Sequence, residues 1–529
     1  MKKQILTIFA LIIASMLNAN NISLTDISLN GQNTSDHFTM VQFDISWENT
    51  WRNDISGSGN APPYNRDAAW VFVKYRVTVA NGGDGLWKHA CLNNTGHITP
   101  GGCTIDIGLL TPGTDFDPST NPGMGAHIYR DANGTGTFST TGVQLRWNYG
   151  VNYKTGTIPI DDNDMVDIQV FALEMVYVPQ SAFALGSGGS ETSAFYKYPV
   201  TGDAYSVISE DAITIGTATD NLYYEFSTDG GDQGGPVPAS FPKGYNSFYC
   251  MKYEICQQEY TDFLNTLTYT QQTTRTTNAP SSGAGTGALI TGNLFRNGID
   301  IQVSGVNPAT PAVYACNLDG DGNFGEYNDG QWIACNYLSW NDVVAYLDWS
   351  SLRPMTELEF EKSCRGSVIP VVNEYAWGNT SVTQNTGITN PGQTNETSTN
   401  NGNASYGDHS SVQGPTRVGG FATASSTRLT GGTTYFGIME MSSNVWERAV
   451  SVGNTSGRLF TGTHGNGTLD ATGNEDVSTW PPGIDAGIRG GYWTSGSAYL
   501  RVSDRSQAAG ITGTYRLSYY GGRGVRLAL

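Results

Sequence analysis

The sequence predicts a two-part α+β protein, in which an N-terminal antiparallel β-sandwich precedes a domain with few helices and long loops. Three observations support this fold class. Apolar and polar residues alternate with a period of two in the first third of the chain, whereas helical spacing is confined to short stretches after residue 255. The chain contains 66 glycines, and its charged fraction is only 14%, which is typical of many loops and short strands.

The first 19 residues have the layout of a secretory signal peptide. Lys2 and Lys3 precede an apolar run from Ile5, and Leu17–Ala19 offers a small-residue cleavage site. No later stretch approaches the roughly 18 apolar residues that a membrane-spanning helix needs. We therefore expect a protein without a membrane span that is secreted, periplasmic or exposed at the cell surface.

The overall charge limits the class of partner. Lysine plus arginine total 28 against 47 aspartates plus glutamates, so the net charge is −19. Because such a surface repels phosphate backbones, we do not expect nucleic-acid binding, whereas cation binding is compatible with it.

Seven cysteines in an exported chain allow at most three disulfides and leave one thiol over. Cys91 with Cys103 and Cys316 with Cys335 are the pairs we expect, since each pair brackets a turn-rich segment. These two bridges are predictions from spacing alone.

Residues 20–171 are predicted to form the β-sandwich. Apolar and polar residues alternate in three runs, Val41–Trp47, Val71–Val79 and Val143–Trp147. One apolar face per strand indicates an antiparallel sheet packed on one side, and a second sheet is the simplest cover for such faces. No metal-binding or catalytic cluster is evident in this part of the sequence.

Residues 172–529 are predicted to form the second domain, with three short helices. The first has four apolar residues at helical spacing: Tyr260, Phe263, Leu264 and Leu267. In the second, Ser339 caps an apolar stripe: Trp340, Val343, Val344 and Leu347. Thr356 and Glu359 form a capping box that opens the third helix, and Gly366 closes it.

A series of short sequence motifs in this second part resembles those of one family. In chain order they are Glu174–Pro179, Phe183–Gly186, Met251–Ile255, Ser339–Asp342, Arg353–Gly366, Ala376–Asn379, Tyr435–Glu447, Arg489–Gly491 and Gly524–Arg526. Together they resemble the motifs of the formylglycine-generating enzymes, also called sulfatase-modifying factors. The resemblance implies a variant of the C-type lectin fold for residues 172–529.

The same resemblance raises a question about activity. Enzymes of the family bind copper through two cysteines that follow the Arg-Gly-Gly phrase, and the corresponding positions here are Ser495 and Leu500. Neither side chain supplies the thiolate or thioether that soft Cu(I) requires, so copper is not expected. A second branch of the family, the iron-dependent sulfoxide synthases, uses a histidine-rich motif, and the six histidines here form no such cluster.

Two functions remain open at this stage. The first is a secreted, non-catalytic protein that binds a ligand or serves as a structural module. The alternative is a metal-dependent oxidoreductase of the family that uses non-standard ligands. Because the family builds its active-site surface from the C-terminal segment, the candidate ligand-binding residues are Tyr492, Trp493, Ser495, Tyr499, Arg505 and Tyr515.

These aromatic and polar side chains suit recognition of a carbohydrate or a peptide. The competing interpretation is that the aromatic residues belong to the core or to hairpin pairs. In that interpretation Arg505 pairs with buried carboxylates or carbonyls instead of a ligand.

Calcium is the metal that the resemblance implies. The positions that match a family calcium site are Asn444, the carbonyl of Val445, and Glu447. Ser443 replaces the usual glycine of this motif and Arg448 replaces its second tryptophan. The alternative is that Asn444 and Glu447 tie a loop together by hydrogen bonds. A second family calcium would draw on Asn403 and Asp408, where the spacing departs from the family.

A further calcium candidate comes from the residues themselves. Asn317, Asp319, Asp321 and Asn323 alternate with other residues, and Gly322 occupies the sixth position of the pattern. The twelfth position, which would hold a bidentate glutamate in a complete loop of this type, is Asn328. The alternative is an acidic turn without a metal.

Overall fold

The structure is a computed structural model, and it describes residues 22–53, 62–423, 425–510 and 513–528. The predicted signal peptide, residues 1–19, lies outside the described residues. The chain divides into two compact units. Among the described residues, the first comprises residues 22–53, 66–174 and 466–468, and the second comprises residues 62–65, 175–423, 425–465, 469–510 and 513–528.

The first unit is built from strands. In chain order they are β1 (Ser23–Asn33), β2 (Phe38–Asn53), β3 (Asn65–Arg76), β4 (Lys88–His89), β5 (Cys103–Leu109), β6 (Gly123–Arg130), β7 (Gly134–Trp147), β8 (Tyr153–Thr155), β9 (Ile158–Pro159) and β10 (Asp167–Val178). β2 pairs antiparallel with both β1 and β7, and β6 pairs antiparallel with both β3 and β5. β10 contributes its residues up to Glu174 to this unit and Met175–Val178 to the second.

The core of this unit follows the predicted alternation on two strands. On β2, Phe43 is buried and lies opposite Val143 of β7, and Val41 lies opposite Leu145. The intervening Gln42 is partly exposed. The one-sided alternation predicted for β2 and β7 is therefore confirmed, while the sandwich arrangement stays a prediction.

The prediction of a strand with one buried face over residues 71–79 is wrong for β3. This strand is buried on both faces, because Phe72, on the face expected to be exposed, stacks on Phe171 at 5.3 Å and on His89 at 5.8 Å between ring centroids. The strand ends at Arg76, and Val79 lies 73% exposed in a 3-10 turn. Alternation in a sequence shows that one face is apolar, but it does not show what covers the other face.

The second unit combines short strands with five helices within its described residues. The strands are β11 (Phe183–Leu185), β12 (Tyr196–Lys197), β13 (Tyr205–Val207), β14 (Leu222–Tyr223), β15 (Phe248–Met251), β16 (Ile299–Val303), β17 (Val313–Cys316), β18 (Arg353–Pro354), β19 (Ile388–Thr389), β20 (Thr397–Ser398), β21 (Glu447–Val450), β22 (Ala486–Arg489) and β23 (Gly524–Leu527). The helices are α1 (Gln257–Leu264), α2 (Tyr269–Arg275), α3 (Trp340–Trp349), α4 (Glu357–Arg365) and α5 (Thr455–Arg458).

A small antiparallel sheet runs through this unit. Met175–Val178 pairs with β15, β15 pairs with β23, and β23 pairs with β18. Five two-stranded pairs surround it, and one of them, β21 with β22, leads directly to the candidate site. Few helices among many short strands agree with the predicted α+β class.

Two of the predicted helix starts are confirmed in detail. At α3, the Ser339 hydroxyl accepts the N–H of Asp342 at 3.2 Å, and the Asp342 carboxylate accepts the N–H of Ser339 at 3.0 Å. At α4, Thr356 and Glu359 form the same reciprocal pair at 3.1 and 3.0 Å. Each pair satisfies two backbone donors that a helix start would otherwise leave free.

α4 is buried along its whole length, including its charged residues. Glu357 pairs with Arg489 at 2.9 Å and with Arg505 at 2.7 Å, and Glu361 pairs with Arg489 and Arg365 at 2.9 Å each. Pairing of this kind offsets the cost of burying these charges. The network fixes the end of β22 against α4.

Candidate ligand-binding site

The chain enters the candidate site at Arg489, the last residue of β22, which the α4 carboxylates hold in place. Gly490 and Gly491 follow with φ of 88° and 76°, a region of backbone conformation that favours glycine. A Cβ on Gly491 would lie 2.6 Å from Cδ1 of Leu500. Glycine is therefore required at this position for both backbone conformation and space.

Ser495 and Leu500 both reach the space beside Gly491, since Ser495 Oγ would lie 3.0 Å from the same Cβ. The Ser495 hydroxyl accepts the N–H of Tyr492 at 3.0 Å and donates to its carbonyl at 2.9 Å. Leu500 is fully buried in an apolar cluster with Tyr375, Trp377 and Ala404. The hydroxyl thus closes a local turn, and the leucine is part of the core.

Five neighbouring rings form a continuous aromatic surface, which we define as Trp446, Tyr492, Tyr499, Tyr519 and Tyr520. Ring centroids are 5.6 Å apart for Trp446 and Tyr492, 4.5 Å for Tyr492 and Tyr519, and 4.9 Å for Tyr519 and Tyr520. Trp446 and Tyr520 are buried at its base, Tyr492 and Tyr519 are half-buried, and Tyr499 is 42% exposed. The Trp446 N–H donates to the Tyr519 carbonyl at 2.9 Å, which fixes the two chain segments together.

The remaining predicted ligand residues lie elsewhere. Arg505 is fully buried, and its guanidinium is bidentate to Glu357, so it belongs to the α4 ion-pair network. Trp493 is 4% exposed and donates its ring N–H to the Ser518 carbonyl at 3.0 Å. Tyr515 is 58% exposed. Of the six predicted residues, Tyr492 and Tyr499 therefore contribute accessible rings to the aromatic surface.

Three buried glutamates, Glu254, Glu440 and Glu447, lie near Arg523. They are on the face of β21 opposite to Trp446. Glu447 Oε1 lies 2.6 Å from Arg523 Nη2, while Glu254 accepts the N–H of Val445 at 3.1 Å and Asn444 Nδ2 at 2.6 Å. Burial raises the pKa of Glu440 to about 7, and the neighbouring Glu447 carboxylate adds to that rise. Burial, followed by the Glu447 carboxylate, also raises the pKa of Glu254.

Three of the predicted loop calcium residues, Asp319, Asp321 and Asn323, lie in an exposed turn, whereas Asn317 is buried and donates to Asp300 at 2.9 Å. Asp319, Asp321 and Glu326 each place one carboxylate oxygen within 4.8 Å of the others. Asn317 and Asn323 take part in hydrogen bonds within the turn. Glu326, which the sequence pattern does not place at a ligand position, thus joins two of the predicted residues, and calcium binding here stays a prediction.

Asn403 and Asp408, the other candidate pair, show no shared site. The buried Asn403 amide accepts the N–H of Thr383 at 2.8 Å and donates to the Leu429 carbonyl at 2.9 Å. Asp408 is exposed and accepts a long hydrogen bond of 3.4 Å from Gln413. Calcium binding by this pair stays a prediction.

The family model of the sulfatase-modifying factor enzyme 1-like domain matches residues 214–526, which is more than half of the chain. The chain belongs to this family. The resemblance drawn from the sequence phrases is thus confirmed.

Among solved structures, Treponema denticola variable protein 1 is similar to this chain. Its sequence identity to the chain is 11%, and the match covers 68% of this chain and 96% of that chain with a TM-score of 0.30. No curated protein matches the chain.

In the structure of this sulfatase-modifying-factor relative all seven cysteines are free thiols, so the predicted bridges Cys91–Cys103 and Cys316–Cys335 are not confirmed. Cys91 Sγ instead accepts a hydrogen bond from Asn152, and Cys316 Sγ lies 3.9 Å from the Thr261 hydroxyl. Bracketing a turn does not bring two sulfurs to bonding distance, which is about 2 Å. In the described part of the chain, no helix is long and apolar enough to span a membrane.

The calcium that the family implies can be tested against the atoms around β21. One carboxylate oxygen each of Glu440 and Glu447 is buried and has no hydrogen-bond partner among the described residues. The side-chain oxygen of Asn444, in contrast, accepts the N–H of Thr416 at 2.8 Å. Carboxylate oxygens are ligands that calcium, a hard cation, prefers, so Glu440 and Glu447 are better candidate ligands than the Asn444 amide. Among the described residues, however, the group of three acidic side chains with oxygens within 4.8 Å of one another is that of the exposed turn, Asp319, Asp321 and Glu326.

Sequence reasoning missed Trp446, Arg448, Glu254 and Glu440. Trp446 and Arg448 are two residues apart, so a strand assignment for residues 446–450 would have put them on one face and Glu447 on the other. Glu254 and Glu440 lie inside phrases that carry the family resemblance. Their convergence on Arg523 requires the tertiary fold and leaves no signal in sequence spacing.

Proposed function

We propose that this protein is a non-catalytic, extracytoplasmic member of the sulfatase-modifying-factor family that binds carbohydrate on the aromatic surface and is stabilised by calcium. The observation that carries the proposal is the pair Ser495 and Leu500 beside Gly491, at the positions where the family resemblance implies copper-binding cysteines. The predicted signal peptide supports an extracytoplasmic location.

The chemistry of the pair argues against the family's oxidation reaction. Cu(I) is bound by thiolate or thioether sulfur, which neither a hydroxyl nor an isobutyl group provides. Leu500 is held inside an apolar cluster, and both hydrogen bonds of the Ser495 hydroxyl go to Tyr492. Copper does not fit these residues, so we derive no reaction through it.

The aromatic surface supports binding. Its rings present apolar faces that remain partly accessible, while the tyrosine hydroxyls can hydrogen-bond. Aromatic side chains also lose little conformational entropy when a ligand is bound, since tyrosine has only two χ angles. A sugar ring, with C–H groups on its faces and hydroxyls at its rim, matches this combination.

Calcium would act as a structural ion in this proposal. Glu440 and Glu447 would supply carboxylate oxygens, and both act through space on Glu254, which accepts the Val445 N–H. Burial and mutual repulsion disfavour the ionised forms of Glu254 and Glu440 despite the nearby arginines Arg523 and Arg417, and a divalent cation among these carboxyl groups would favour ionisation.

The proposal is tested with neutral and acidic oligosaccharides on an array, followed by titration calorimetry of the best binder. We expect binding to weaken at least about 10-fold in Tyr492→Ala and Tyr499→Ala, because stacked rings dominate such interfaces. The matched control is Tyr515→Ala, which removes an exposed ring outside the surface. Unchanged binding in both surface variants, or copper-dependent oxygen uptake on a cysteine peptide by the wild type, would contradict the proposal.

A further inference from the structure

Arg448 is a buried cation without an internal acceptor. Its side chain is 1% exposed, and none of its three guanidinium nitrogens has a hydrogen-bond partner among the described residues. The guanidinium carbon lies 4.1 Å from the centroid of the Tyr520 ring. Arg489 and Arg505, which are equally buried, both have carboxylate partners.

The stacking on Tyr520 does not offset the burial of this charge. A cation–π contact stabilises a desolvated cation by less than the loss of its hydration destabilises it. Burial lowers the pKa of Arg448 to about 10, which leaves it protonated at neutral pH. The Asp342 carboxylate acts on Arg448 through space, but Arg516 binds it at 2.7 Å and Arg275 at 3.2 Å.

The chemistry of the side chain adds to the argument. A guanidinium carries five N–H donors and no acceptor, so it needs several acceptors when it is buried. The missing acceptor therefore has to come from outside the chain.

The position of Arg448 indicates where such an acceptor arrives. Trp446 immediately precedes β21 and Arg448 is the second residue of β21, so with extended backbone their side chains lie on one face. Tyr520, on which the guanidinium stacks, contacts the half-buried Tyr519 and also belongs to the aromatic surface. An acidic group that reaches Arg448 is thus attached to a ligand on that surface.

We propose that Arg448 binds a single anionic substituent, a carboxylate or a sulfate ester, on the carbohydrate held by the aromatic surface. This inference rests on the proposed function. The planar guanidinium matches both groups, since it can donate two parallel hydrogen bonds to a pair of oxygens. The net charge of −19 repels densely charged polyanions, which favours a mostly neutral chain with occasional acidic substituents.

The test compares matched probes by titration calorimetry. Xylotetraose is paired with the same oligosaccharide carrying one glucuronic acid, and a neocarratetraose monosulfate is paired with its desulfated form. We expect the acidic member of at least one pair to bind about 30-fold or more tightly than its neutral partner. The pair that shows the preference identifies the substituent as carboxylate or sulfate.

Two variants assign the preference to Arg448. In Arg448→Gln and Arg448→Trp we expect acidic and neutral probes to bind equally, with no loss of melting temperature because an uncompensated charge has been removed. A preference that survives both variants, or equal binding by the wild type, overturns the role of Arg448. If the wild type binds acidic and neutral probes equally and Tyr492→Ala binds neither, the carbohydrate-binding proposal stands and only the role of Arg448 is overturned.

The remaining outcomes test the class of ligand. If no oligosaccharide binds and a peptide with one aspartate does, carbohydrate binding and the role of Arg448 in it both fail. Binding to none of the probes counts against both as well. A fall in melting temperature of both Arg448 variants would show that Arg448 has an internal partner and would also overturn the inference.

Discussion

Arg505 and Glu357 form a bidentate ion pair in the interior of the second unit, with Nε 2.7 Å from Oε2 and Nη2 2.9 Å from Oε1. Glu357 also binds Arg489, which precedes the two glycines of the candidate site. One carboxylate at the start of α4 therefore holds two arginines on either side of the aromatic segment. The geometry of the candidate site depends on this carboxylate.

Removing the Glu357 carboxylate should strongly destabilise the second unit. We expect Glu357→Ala to lower the free energy of unfolding of the second unit by about 3–5 kcal/mol, because two buried guanidinium groups lose a partner. Urea denaturation followed by near-ultraviolet circular dichroism measures the change. Asp203→Ala is the matched control, since its pair with Lys197 is exposed and long at 3.8 Å, and it should change stability little. Equal effects of the two variants would contradict this prediction.

Lys362 gives a prediction of pH dependence. It is fully buried on α4, donates to the carbonyl and the hydroxyl of Ser181 at 2.6 Å each, and burial lowers its pKa from 10.5 to about 7. The unfolded chain therefore binds more protons than the folded chain between these two pH values, and the contribution of Lys362 to stability rises with pH across that window.

The comparison that isolates this contribution uses Lys362→Met. We expect the stability of the wild type relative to this variant to increase from pH 7 towards pH 10.5, as measured by urea midpoints at several pH values. Lys197→Met, which changes a 40% exposed lysine, is the control and should show no such trend. Parallel pH profiles of wild type and Lys362→Met would refute the prediction.

Cysteines can be introduced at Ser495 and Leu500, the two residues beside Gly491. Ser495 Oγ and Leu500 Cδ1 both approach the point where a Cβ on Gly491 would stand, so two cysteines at these positions should face each other. We expect Ser495→Cys combined with Leu500→Cys to bind one Cu(I) per chain, since paired thiolates are good ligands for it. Competition with a chromophoric Cu(I) chelator measures the affinity, and each single variant serves as a control. Tight stoichiometric binding by the wild type would argue against the proposed function.

Removal of calcium should destabilise the second unit. A chelator is expected to lower the melting temperature of the wild type, and the shift should shrink in Glu440→Gln, which loses one carboxylate ligand. Asp321→Asn, in the exposed acidic turn, separates the two candidate sites and should leave the chelator effect unchanged. A melting temperature insensitive to chelator in the wild type would remove calcium from the proposal.

The elements that the sequence predicted correctly are those specified by neighbouring residues. The capping boxes at Ser339 and Thr356 and the alternation on β2 and β7 depend on positions three or two residues apart, so they can be identified without the fold. α2 follows the same rule, because Thr268 and Gln271 form a capping box that the sequence analysis overlooked. Local rules were thus sufficient at these elements, whereas the same alternation rule did not reveal that β3 is buried on both faces.

The candidate site was only partly predictable, because its members come from distant parts of the chain. Tyr492 and Tyr499 follow from the family phrase, but Trp446 and Tyr519 join them only through folding. Arg505 has the residue type of a ligand-binding group, and only its position next to Glu357 shows otherwise. The same limit applies to Arg448, since burial without a partner is a property of the folded chain.

The seven thiols bear on where this chain can mature. Burial raises the pKa of each of them, and the thiolate is the form that reacts with oxidants and takes part in disulfide exchange. The thiols of the folded chain should therefore react slowly in an oxidising environment, although seven cysteines are enough for three disulfides.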